Sequence, residues 1–461
     1  MNAIIATTVF GIIMMFAGAF GSNKNGIIAI ATVLFAILVG VNIWDLTTIS
    51  ANEPHLYFSN MLRIEHYSLW FNTLMTGCSL LYVLLMGKEI QKVGAHVAEY
   101  FALIFFILCG LYILSTYNNL LMLFIGIEIL SIPQYILAGS DKRNLKSSEA
   151  SFKYFLMGAF STGILLMGIT LLYGAARTFN IMEIAATLHT DTLDHTLGLA
   201  GIMFIMIALS FKVSAAPMHM WTPDVYDGSP TAFTAFMATI VKAGAFFAFL
   251  RLFQVSFNSL AEHWTIILAV ITAATLFVGN VTAVFQQSVK RMLAYSSIAQ
   301  AGFMLFAVLA VNAIAWQGII IYAVAYSVAT IGMFAVLIKL KDYTYDGFNG
   351  LAQSEPLLAF AASIFLFSLA GIPLTGGFMA KYYVLLAVVQ QGHLLWLVIF
   401  ALLMAAISVY YYFRVIIAMY FKSGTPEITG PITAGNKLML IITCILVILI
   451  GIFPQLFLNT F

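Results

Sequence analysis

The chain has 461 residues, of which 62% are hydrophobic and 8% are charged. A soluble domain carries about 25% charged residues, so this composition excludes an ordinary cytosolic protein and indicates one that lies in a lipid bilayer. The formal net charge of +2 at pH 7 gives no reason to expect nucleic-acid binding. Such binding would show as clustered Lys and Arg residues on a polar domain.

Apolar segments follow one another along the whole chain, each long enough for a helical crossing of a bilayer, which takes about 20 residues. We place them at 3–20, 26–44, 68–87, 97–115, 119–138, 151–173, 198–220, 230–252, 264–285, 292–312, 314–338, 357–388, 393–418 and 437–458. Runs of this length without period-two alternation are helices rather than barrel strands. The sequence predicts an all-α polytopic membrane protein with about 14 transmembrane helices, the first of them an uncleaved helix rather than a signal peptide.

The basic residues between these segments lie mostly on one side of the predicted bundle. If the first helix runs from outside to inside, the outer loops hold only Arg63, Arg177 and Arg251. The inner loops hold Lys24, Lys88, Lys92, Lys142, Arg143, Lys146, Lys290, Arg291, Lys339, Lys341, Arg414, Lys422 and Lys437. Under the positive-inside rule this bias predicts an even number of helices with both termini outside.

Five charged residues lie in or at the edge of the apolar segments, namely Glu128, Lys153, Lys212, Lys242 and Lys381. A charge at bilayer depth costs about 2.5–3.5 kcal/mol on insertion scales, so such residues suggest a function. Burial disfavours the charged form of lysine and lets it exchange a proton, whereas arginine stays charged. A carboxylate beside a lysine holds it protonated, so the set predicts a proton relay that a change in pairing can switch.

Each of these residues also has a purely structural interpretation. Lys153 lies a few residues inside its segment and could extend its ammonium group to the membrane surface. Lys212 and Lys381 could be static partners of carboxylates on neighbouring subunits, and Glu128 a permanent ion-pair partner. For Lys242, about twelve residues into its segment, reaching the surface is hard, so the structural interpretation is weakest there.

Two apolar segments cannot be continuous helices. Segment 357–388 is too long for one straight crossing, and 198–220 contains a proline shortly after Lys212. The helix-breaking residues are Pro217 in the earlier segment and Gly371, Pro373, Gly376 and Gly377 in the later one. Broken backbone at membrane depth is tolerated where it lines a polar cavity, so we expect a hydrated site beside each break. The alternative is a kink that serves packing alone.

Cofactor chemistry is not expected on this chain. The cysteines Cys78, Cys109 and Cys444 stand singly in apolar stretches, without the spacing of a zinc, cluster or haem site. There is no GxGxxG motif or P-loop, and no facing pair of histidines for a membrane haem is visible. If the protein belongs to a redox machine, the redox centres lie on partner chains.

Three stretches carry a resemblance to the proton-pumping antiporter family: KVSAAPMHMWTPDVYDGSPTAFTAFMATIVKAG, SVKRMLAYSSIAQAGFM and LAGIPLTGGFMAKYYV. More narrowly, they resemble the N-type antiporter-like subunit of respiratory complex I, the NADH:quinone oxidoreductase. The likeness covers nearly the whole chain and implies two inverted five-helix repeats after three amino-terminal helices. The implied divisions are 1–96 for the first three helices, 97–252 and 253–420 for the repeats, and 421–461 for the last helix.

The resemblance also assigns roles to the charged residues. Glu128 in GIEILSIPQY is similar to the helix-five glutamate of the family, and Lys153 to the helix-six lysine. Lys212 matches the lysine of the first broken helix, and Lys242 the one that follows the PT turn. Lys381 matches the terminal lysine of the second broken helix, where a sister subunit has glutamate. These five residues are the ones implied to carry protons.

One position departs from the family pattern. In YSSIAQAG, Gln300 stands where relatives often have histidine. If that histidine relays protons elsewhere, a water or another group must replace it here.

The resemblance implies a proton-translocating subunit without a redox centre of its own. Flavin, iron-sulfur clusters and quinone would lie on partner subunits. Its neighbours would be other antiporter-like and small membrane subunits, and its place a bacterial inner membrane with both termini on the periplasmic side.

Two other functions stay open from the sequence. One is a subunit of a multisubunit sodium/proton antiporter, and the other is a non-pumping membrane scaffold with fixed ion pairs. Sodium transport calls for several oxygen ligands at depth, and only Glu128 supplies a carboxylate there, which disfavours the first.

Overall fold

The computed structural model describes residues 1–21, 23–49, 54–94, 96–188, 195–430 and 432–458. The first part contains α1 (Asn2–Phe20), α2 (Lys24–Thr48), the strands β1 (His55–Tyr57) and β2 (Leu62–Ile64), α3 (His66–Val93), α4 (Val97–Thr116), α5 (Leu120–Ala138) and α6 (Leu145–Ala176). Next come α7 (Ile181–Leu188), α8 (His195–Lys212), α9 (Trp221–Gly228), α10 (Thr231–Phe236), a π-helical turn (Met237–Val241) and α11 (Lys242–Val255). After a 3₁₀ turn (Asn258–Leu260) follow α12 (Ala261–Val284), α13 (Val289–Leu309) and α14 (Ala313–Leu337). A second 3₁₀ turn (Asp346–Phe348) leads to α15 (Leu351–Ser354), α16 (Pro356–Ala370), α17 (Gly376–Val389), α18 (Leu395–Phe421), α19 (Ala434–Ile452) and α20 (Gln455–Leu458).

The number of crossings agrees with the sequence prediction. Within the described residues, 12 helical stretches are each long and apolar enough to cross a membrane, and α10, the π-turn and α11 together form one of them. Two further crossings are interrupted, one made of α8 and α9 and the other of α16 and α17. When each interrupted pair is taken as one crossing, the predicted count of about 14 is confirmed. The predicted division into repeats stays a prediction.

Several predicted boundaries were wrong. Helix α6 begins at Leu145 rather than at 151, because the side chain of Asn144 caps a polar first turn that hydropathy does not detect. The first interrupted crossing extends to Gly228 rather than to 220, through the short helix α9 with the sequence WTPDVYDG. A short antiparallel hairpin of β1 and β2, with His55 opposite Ile64, lies between α2 and α3 and was not predicted.

Polar contacts show which helix ends lie together. Lys24 donates to the carbonyl oxygens of Gln91 and Gly94 at the end of α3, at 3.2 and 3.0 Å. Lys339, after α14, forms a buried ion pair with Glu89 near the same end of α3. We call this side of the bundle the basic end. At the other end of α3, the buried Arg251 pairs with Glu65 at 2.7 Å. For α2, α3, α11 and α14 these contacts agree with the alternation of helix directions assumed for the charge bias.

Glycines let neighbouring helices approach closely, as is common between membrane helices. A Cβ atom placed on Gly168 of α6 would lie 2.9 Å from the backbone nitrogen of Ile205 and 3.0 Å from the carbonyl oxygen of Gly201 in α8. A Cβ on Gly201 would in turn lie 3.0 Å from the carbonyl oxygen of Gly168. The backbones of α6 and α8 are thus in contact, and this contact fixes the first interrupted crossing against α6.

Gly168→Ala should therefore destabilise the protein, because overpacking a close contact costs about 1–3 kcal/mol. Gly163→Ala is the matched control, since a Cβ there meets nothing within 4 Å and alanine favours the helix by about 1 kcal/mol over glycine. Thermal unfolding of the purified chain should show a lower midpoint for the first variant and an equal or higher one for the second. Equal midpoints for both variants would contradict the close packing of α6 on α8.

Candidate functional site

Glu128 lies on one face of α5, where residues of α5, α6 and α8 form a small polar cluster. Ser131 and Tyr135 lie three and seven residues after Glu128 and therefore share its face of the helix. Thr162 of α6 donates a hydrogen bond to Glu128 Oε1 at 2.8 Å. Lys212, the last residue of α8, donates from Nζ to Ser131 Oγ at 2.9 Å and to the Tyr135 hydroxyl at 3.4 Å. Lys212 thus contacts α5 through neutral hydroxyl groups.

Glu128 and Lys212 do not form an ion pair with each other. The ion pairs found in the described part of the chain include neither residue. The ammonium group reaches Ser131, one helical turn further along α5, and leaves the carboxylate with its bond from Thr162. Lys212 therefore binds α5 one helical turn away from Glu128.

Lys212 lies at the end of α8, where the first interrupted crossing is broken. Pro217 lies between α8 and α9 and has no N–H group with which to continue a helix. Carbonyl oxygens at the end of α8 receive other donors: Ala215 N donates to Ser210 O at 2.8 Å, and Trp221 Nε1 donates to Phe211 O at 3.1 Å. The break is thus closed by local hydrogen bonds with the lysine at its edge.

Lys242 lies in the interior of the protein and is 2% exposed. It directly follows the π-helical turn, a local widening of the helix that often occurs at functional sites. Its Nζ donates to the carbonyl oxygen of Ser297 at 3.0 Å and to Ser297 Oγ at 2.6 Å on α13. The Tyr226 ring centre lies 5.6 Å away. The hydrogen-bond partners of this ammonium group are neutral oxygen atoms.

Lys381 is bound to the end of the other interrupted crossing. It belongs to α17 and is 7% exposed, and its Nζ donates to the carbonyl oxygens of Leu369 and Ala370 at 3.1 and 2.8 Å. These two residues end α16. The last carbonyl groups of a helix have no partner within it and form the negative end of its dipole. The ammonium group therefore takes the hydrogen bonds that the break leaves open.

The predicted helix breakers make room for this arrangement. Gly371 has a φ of 85°, and a Cβ there would lie 2.9 Å from Cδ of Lys381. A Cβ on Gly377 would overlap the carbonyl oxygen of Ser368, and one on Gly376 would lie 3.1 Å from α14 and α19 atoms. Pro373 stands in the turn between the two half-helices. Glycine is thus required where the backbone turns beside the lysine.

Gln300 takes the place between the two buried lysines. Its Nε2 donates to the carbonyl oxygen of Leu369 at 2.8 Å and to the hydroxyl of Tyr412 at 3.2 Å. Its Oε1 accepts a hydrogen bond from the hydroxyl of Tyr322. The amide is therefore fully engaged, with two tyrosine hydroxyls around the position where relatives often have histidine.

These contacts form one polar line through the second half of the bundle. Lys242 is bonded to Ser297, and Gln300 lies one turn after Ser297 on the same side of α13. The carbonyl oxygen of Leu369 accepts hydrogen bonds from both Gln300 and Lys381. We call this set, from Lys242 to Lys381, the lysine row.

Lys153 lies outside this row. It is 41% exposed at the basic end and pairs with Glu149 at 2.7 Å and with Asp224 at 3.0 Å. Asp224 also accepts a hydrogen bond from Arg291 at 3.0 Å. The structure thus places this lysine in an exposed charge cluster rather than at membrane depth, which agrees with its alternative interpretation.

Three buried cations were assigned to loops from the sequence, namely Lys290, Arg251 and Lys339. Lys290 is 4% exposed and Arg251 is fully buried at the end of α11. Arg251 binds Glu65 and the carbonyl oxygen of Tyr117. The spacing in the sequence could have indicated that Lys290 is buried, because it lies seven residues before Ser297 and hence on the same face of α13.

The fold does not test the prediction that this chain holds no metal or cofactor. Within the described residues no group of three or more His, Cys, Asp or Glu side chains could hold a metal ion. Cys78, Cys109 and Cys444 are free and buried.

Comparison with known proteins gives consistent similarities. Residues 117–408 match the family described as "NADH:quinone oxidoreductase/Mrp antiporter, TM". The chain is 40% identical to NADH-quinone oxidoreductase subunit N of Cytophaga hutchinsonii, over 100% of this chain and 99% of that protein. It superposes on a chain of respiratory complex I from Thermus thermophilus with bound aureothin with a TM-score of 0.84, at 29% identity, covering 99% and 98% of the two chains. A chain of the Mrp complex from a Dietzia species gives a TM-score of 0.88 at 19% identity, covering 99% and 95%.

The different depths of the lysines can be tested with thiol labelling. Cysteine introduced by Lys153→Cys should react with a polar maleimide much faster than cysteine introduced by Lys242→Cys, because the native side chains are 41% and 2% exposed. The three native cysteines are buried and should give little background in the purified chain. Equal labelling rates at the two positions would contradict the placement of Lys242 in the interior.

Proposed function

The chain belongs to the antiporter-like membrane family of NADH:quinone oxidoreductase, in which its full-length relatives are subunit N, and we propose that it carries protons across the membrane through its buried lysines. It would do so as a subunit of a bacterial enzyme complex in which partner subunits hold flavin, iron-sulfur clusters and quinone. The observation that carries the proposal is the lysine row, in which Lys242 and Lys381 are buried and bonded to neutral oxygen atoms.

The row argues against the two other functions. A scaffold of fixed ion pairs would require carboxylate partners, and the ion pairs among the described residues do not include Lys212, Lys242 or Lys381. A sodium site would require free oxygen ligands, whereas ammonium groups already occupy these oxygen atoms. The similarity to the Mrp chain, at 19% identity, concerns the fold alone.

Hydroxyl partners suit a lysine that gains and loses a proton. A hydroxyl group accepts a hydrogen bond from the ammonium and donates one to the neutral amine. Lys212 has Ser131 and Tyr135 as such partners, and Lys242 has Ser297. Both lysines can therefore keep a hydrogen bond in either protonation state. An approach of Glu128 to Lys212 would favour the ammonium, and a retreat would let the proton move on.

Carbonyl partners make Lys381 different. Carbonyl oxygens only accept hydrogen bonds, so Lys381 weakens its contacts with Leu369 and Ala370 when it releases a proton. Those carbonyls belong to α16, while the lysine belongs to α17. A shift of one half-helix against the other would loosen both bonds at once. We assign proton release to this movement.

Gln300 cannot itself carry a proton, because an amide does not titrate. Its neighbours Tyr322 and Tyr412 each present a hydroxyl group that both donates and accepts. Tyr412 is further bonded to Ser296 at 2.5 Å. We assign to these hydroxyl groups the proton path that histidine provides in relatives, with Gln300 holding them in place.

The charge bias gives the orientation of the chain from which we propose the direction of transport. We propose that the basic end faces the cytoplasm of a bacterial inner membrane and that both termini are periplasmic. Protons would enter from the basic end and leave near Lys381. Quinone reduction in partner subunits would drive the cycle by displacing Glu128 relative to Lys212.

Glu128→Gln should leave assembly intact and reduce NADH-driven proton uptake by about tenfold or more, since glutamine keeps the shape but removes the titrating group. Assembly should survive because the carboxylate makes one hydrogen bond in the described chain, from Thr162. The control is Glu262→Gln, the same substitution at an exposed position of α12. Uptake by inside-out vesicles is followed with a pH-sensitive dye. Normal uptake in an assembled Glu128→Gln complex would remove Glu128 from the mechanism.

Lys381→Arg should assemble and pump poorly. Arginine keeps the charge and can donate to both carbonyl oxygens of α16, but it does not release its proton. Lys381→His, which can titrate near neutral pH, should retain more activity than the arginine form. The same vesicle assay compares the two variants at equal amounts of assembled complex. Wild-type pumping by Lys381→Arg would make this lysine a structural charge.

A further inference from the structure

An open polar cavity of about 550 Å³ enters the bundle from its basic end. Its wall carries charged side chains from several elements, among them Glu89 and Lys92 of α3, Lys146 of α6 and Asp342 after α14. Its floor is the turn from Gly228 to Thr231, which connects the first interrupted crossing to the helix that bears Lys242. The cavity therefore connects the basic end of the bundle with the start of that helix.

Lys290 lies at the floor of this cavity. It is 4% exposed, and its Nζ donates to the carbonyl oxygens of Asp227 and Ser229 at 2.8 and 2.7 Å. A second feature of the same place points to water: the hydroxyl of Ser229 is buried, lines the cavity and has no hydrogen-bond partner in the described part of the chain. Buried hydroxyl groups in folded proteins are normally satisfied, by protein or by water.

The position of Lys290 connects the cavity to the lysine row. Ser297, the partner of Lys242, lies seven residues further along α13, which is two helical turns or roughly 10 Å. Lys290 and Ser297 share one face of this helix. A lysine thus stands between the polar cavity on one side and Lys242 on the other.

The bonding of Lys290 repeats that of Lys381. Each ammonium group takes two carbonyl oxygens at the end of a half-helix of an interrupted crossing, α9 for Lys290 and α16 for Lys381. The groups that face Lys290 are the carboxylate of Asp227, the ammonium of Lys146 and the ring of Tyr343, whose centre is 5.8 Å away. A lysine bound to two carbonyl oxygens of a half-helix therefore occurs at Lys381, where the lysine row ends, and also at Lys290, which precedes Lys242 in the proposed path.

We propose that Lys290 is the proton-entry group of this chain, through which protons pass from the cavity to Lys242. The inference rests on the proposed function. In the step, an N–H bond of the Lys290 ammonium breaks, the proton moves through intervening water, and an N–H bond forms on the neutral amine of Lys242. The amine left on Lys290 then takes a proton from water in the cavity, and the hydroxide ion that remains is neutralised by a proton from the bulk solvent at the basic end. No electron moves and no other reactant is needed.

Lys290→Arg separates proton transfer from helix capping. Arginine can donate to the carbonyl oxygens of Asp227 and Ser229 but keeps its proton. Proton uptake should fall by about tenfold or more at normal assembly, while the control Lys341→Arg, at an exposed lysine outside the lining of this cavity, should pump normally. A lysine that only caps α9 predicts wild-type uptake for Lys290→Arg, and this result would overturn the proposal.

Ser229→Cys provides a second measurement that leaves Lys290 unchanged. A small cationic methanethiosulfonate, added on the side of the basic end, should modify the cysteine and place a fixed positive charge beside Lys290. Uptake should then fall by a similar factor, and a reducing agent should restore it. Modification without loss of uptake, or no reaction at all, would each contradict entry through this cavity.

The outcome can be told apart from a failure of the proposed function. If Lys381→Arg pumps normally, the relay itself is wrong. If Lys381→Arg is impaired and both Lys290→Arg and modified Ser229→Cys pump normally, the relay stands and protons enter elsewhere.

Discussion

A lysine ammonium buried in a membrane protein needs hydrogen-bond acceptors, and in this chain hydroxyl groups and the ends of interrupted helices provide them. Lys242 binds the hydroxyl and the carbonyl oxygen of Ser297 within α13. An uninterrupted helix uses most of its carbonyl groups internally, so free carbonyl acceptors appear mainly where a helix stops. Lys381 binds two such carbonyls of α16, and Lys290 binds two at the end of α9. Because these acceptors are neutral, a departing proton leaves no unpaired buried carboxylate behind, which would be strongly destabilising. The bonding of Lys381 and of Lys290 therefore depends on the breaks.

Much of this arrangement could be predicted from the sequence. Hydropathy predicts the crossings, and lysine inside apolar runs marks Lys212, Lys242 and Lys381. Glycine and proline mark the two breaks. The partners could not be predicted, because Ser297 and the carbonyl of Leu369 come from distant helices and are brought close only by packing. Hydropathy also assigns Lys290 to a loop, since Arg291 follows it and the first turn of α13 is polar.

The pairing around Glu128 shows a different limit. The sequence predicts a carboxylate that pairs with lysine but does not say which residue Lys212 binds, and in the structure Ser131 and Tyr135 on the same face of α5 take its ammonium. Side-chain reach decides between neighbours one turn apart, and a sequence pattern does not contain it. The separate partners of Glu128 and Lys212 suit the proposed switch, because the carboxylate and the ammonium can still approach each other. Lys153 likewise finds its carboxylates at the basic end.

The central claim is that the buried lysines carry protons, and Lys242 tests it most directly. Its hydrogen bonds go to Ser297, so Lys242→Met removes the proton carrier without leaving a carboxylate unpaired. The measurement is the number of protons taken up per NADH oxidised by vesicles that contain the assembled variant complex. The account predicts that this number of protons per NADH falls by about tenfold or more. A normal ratio at a normal rate of NADH oxidation would contradict it.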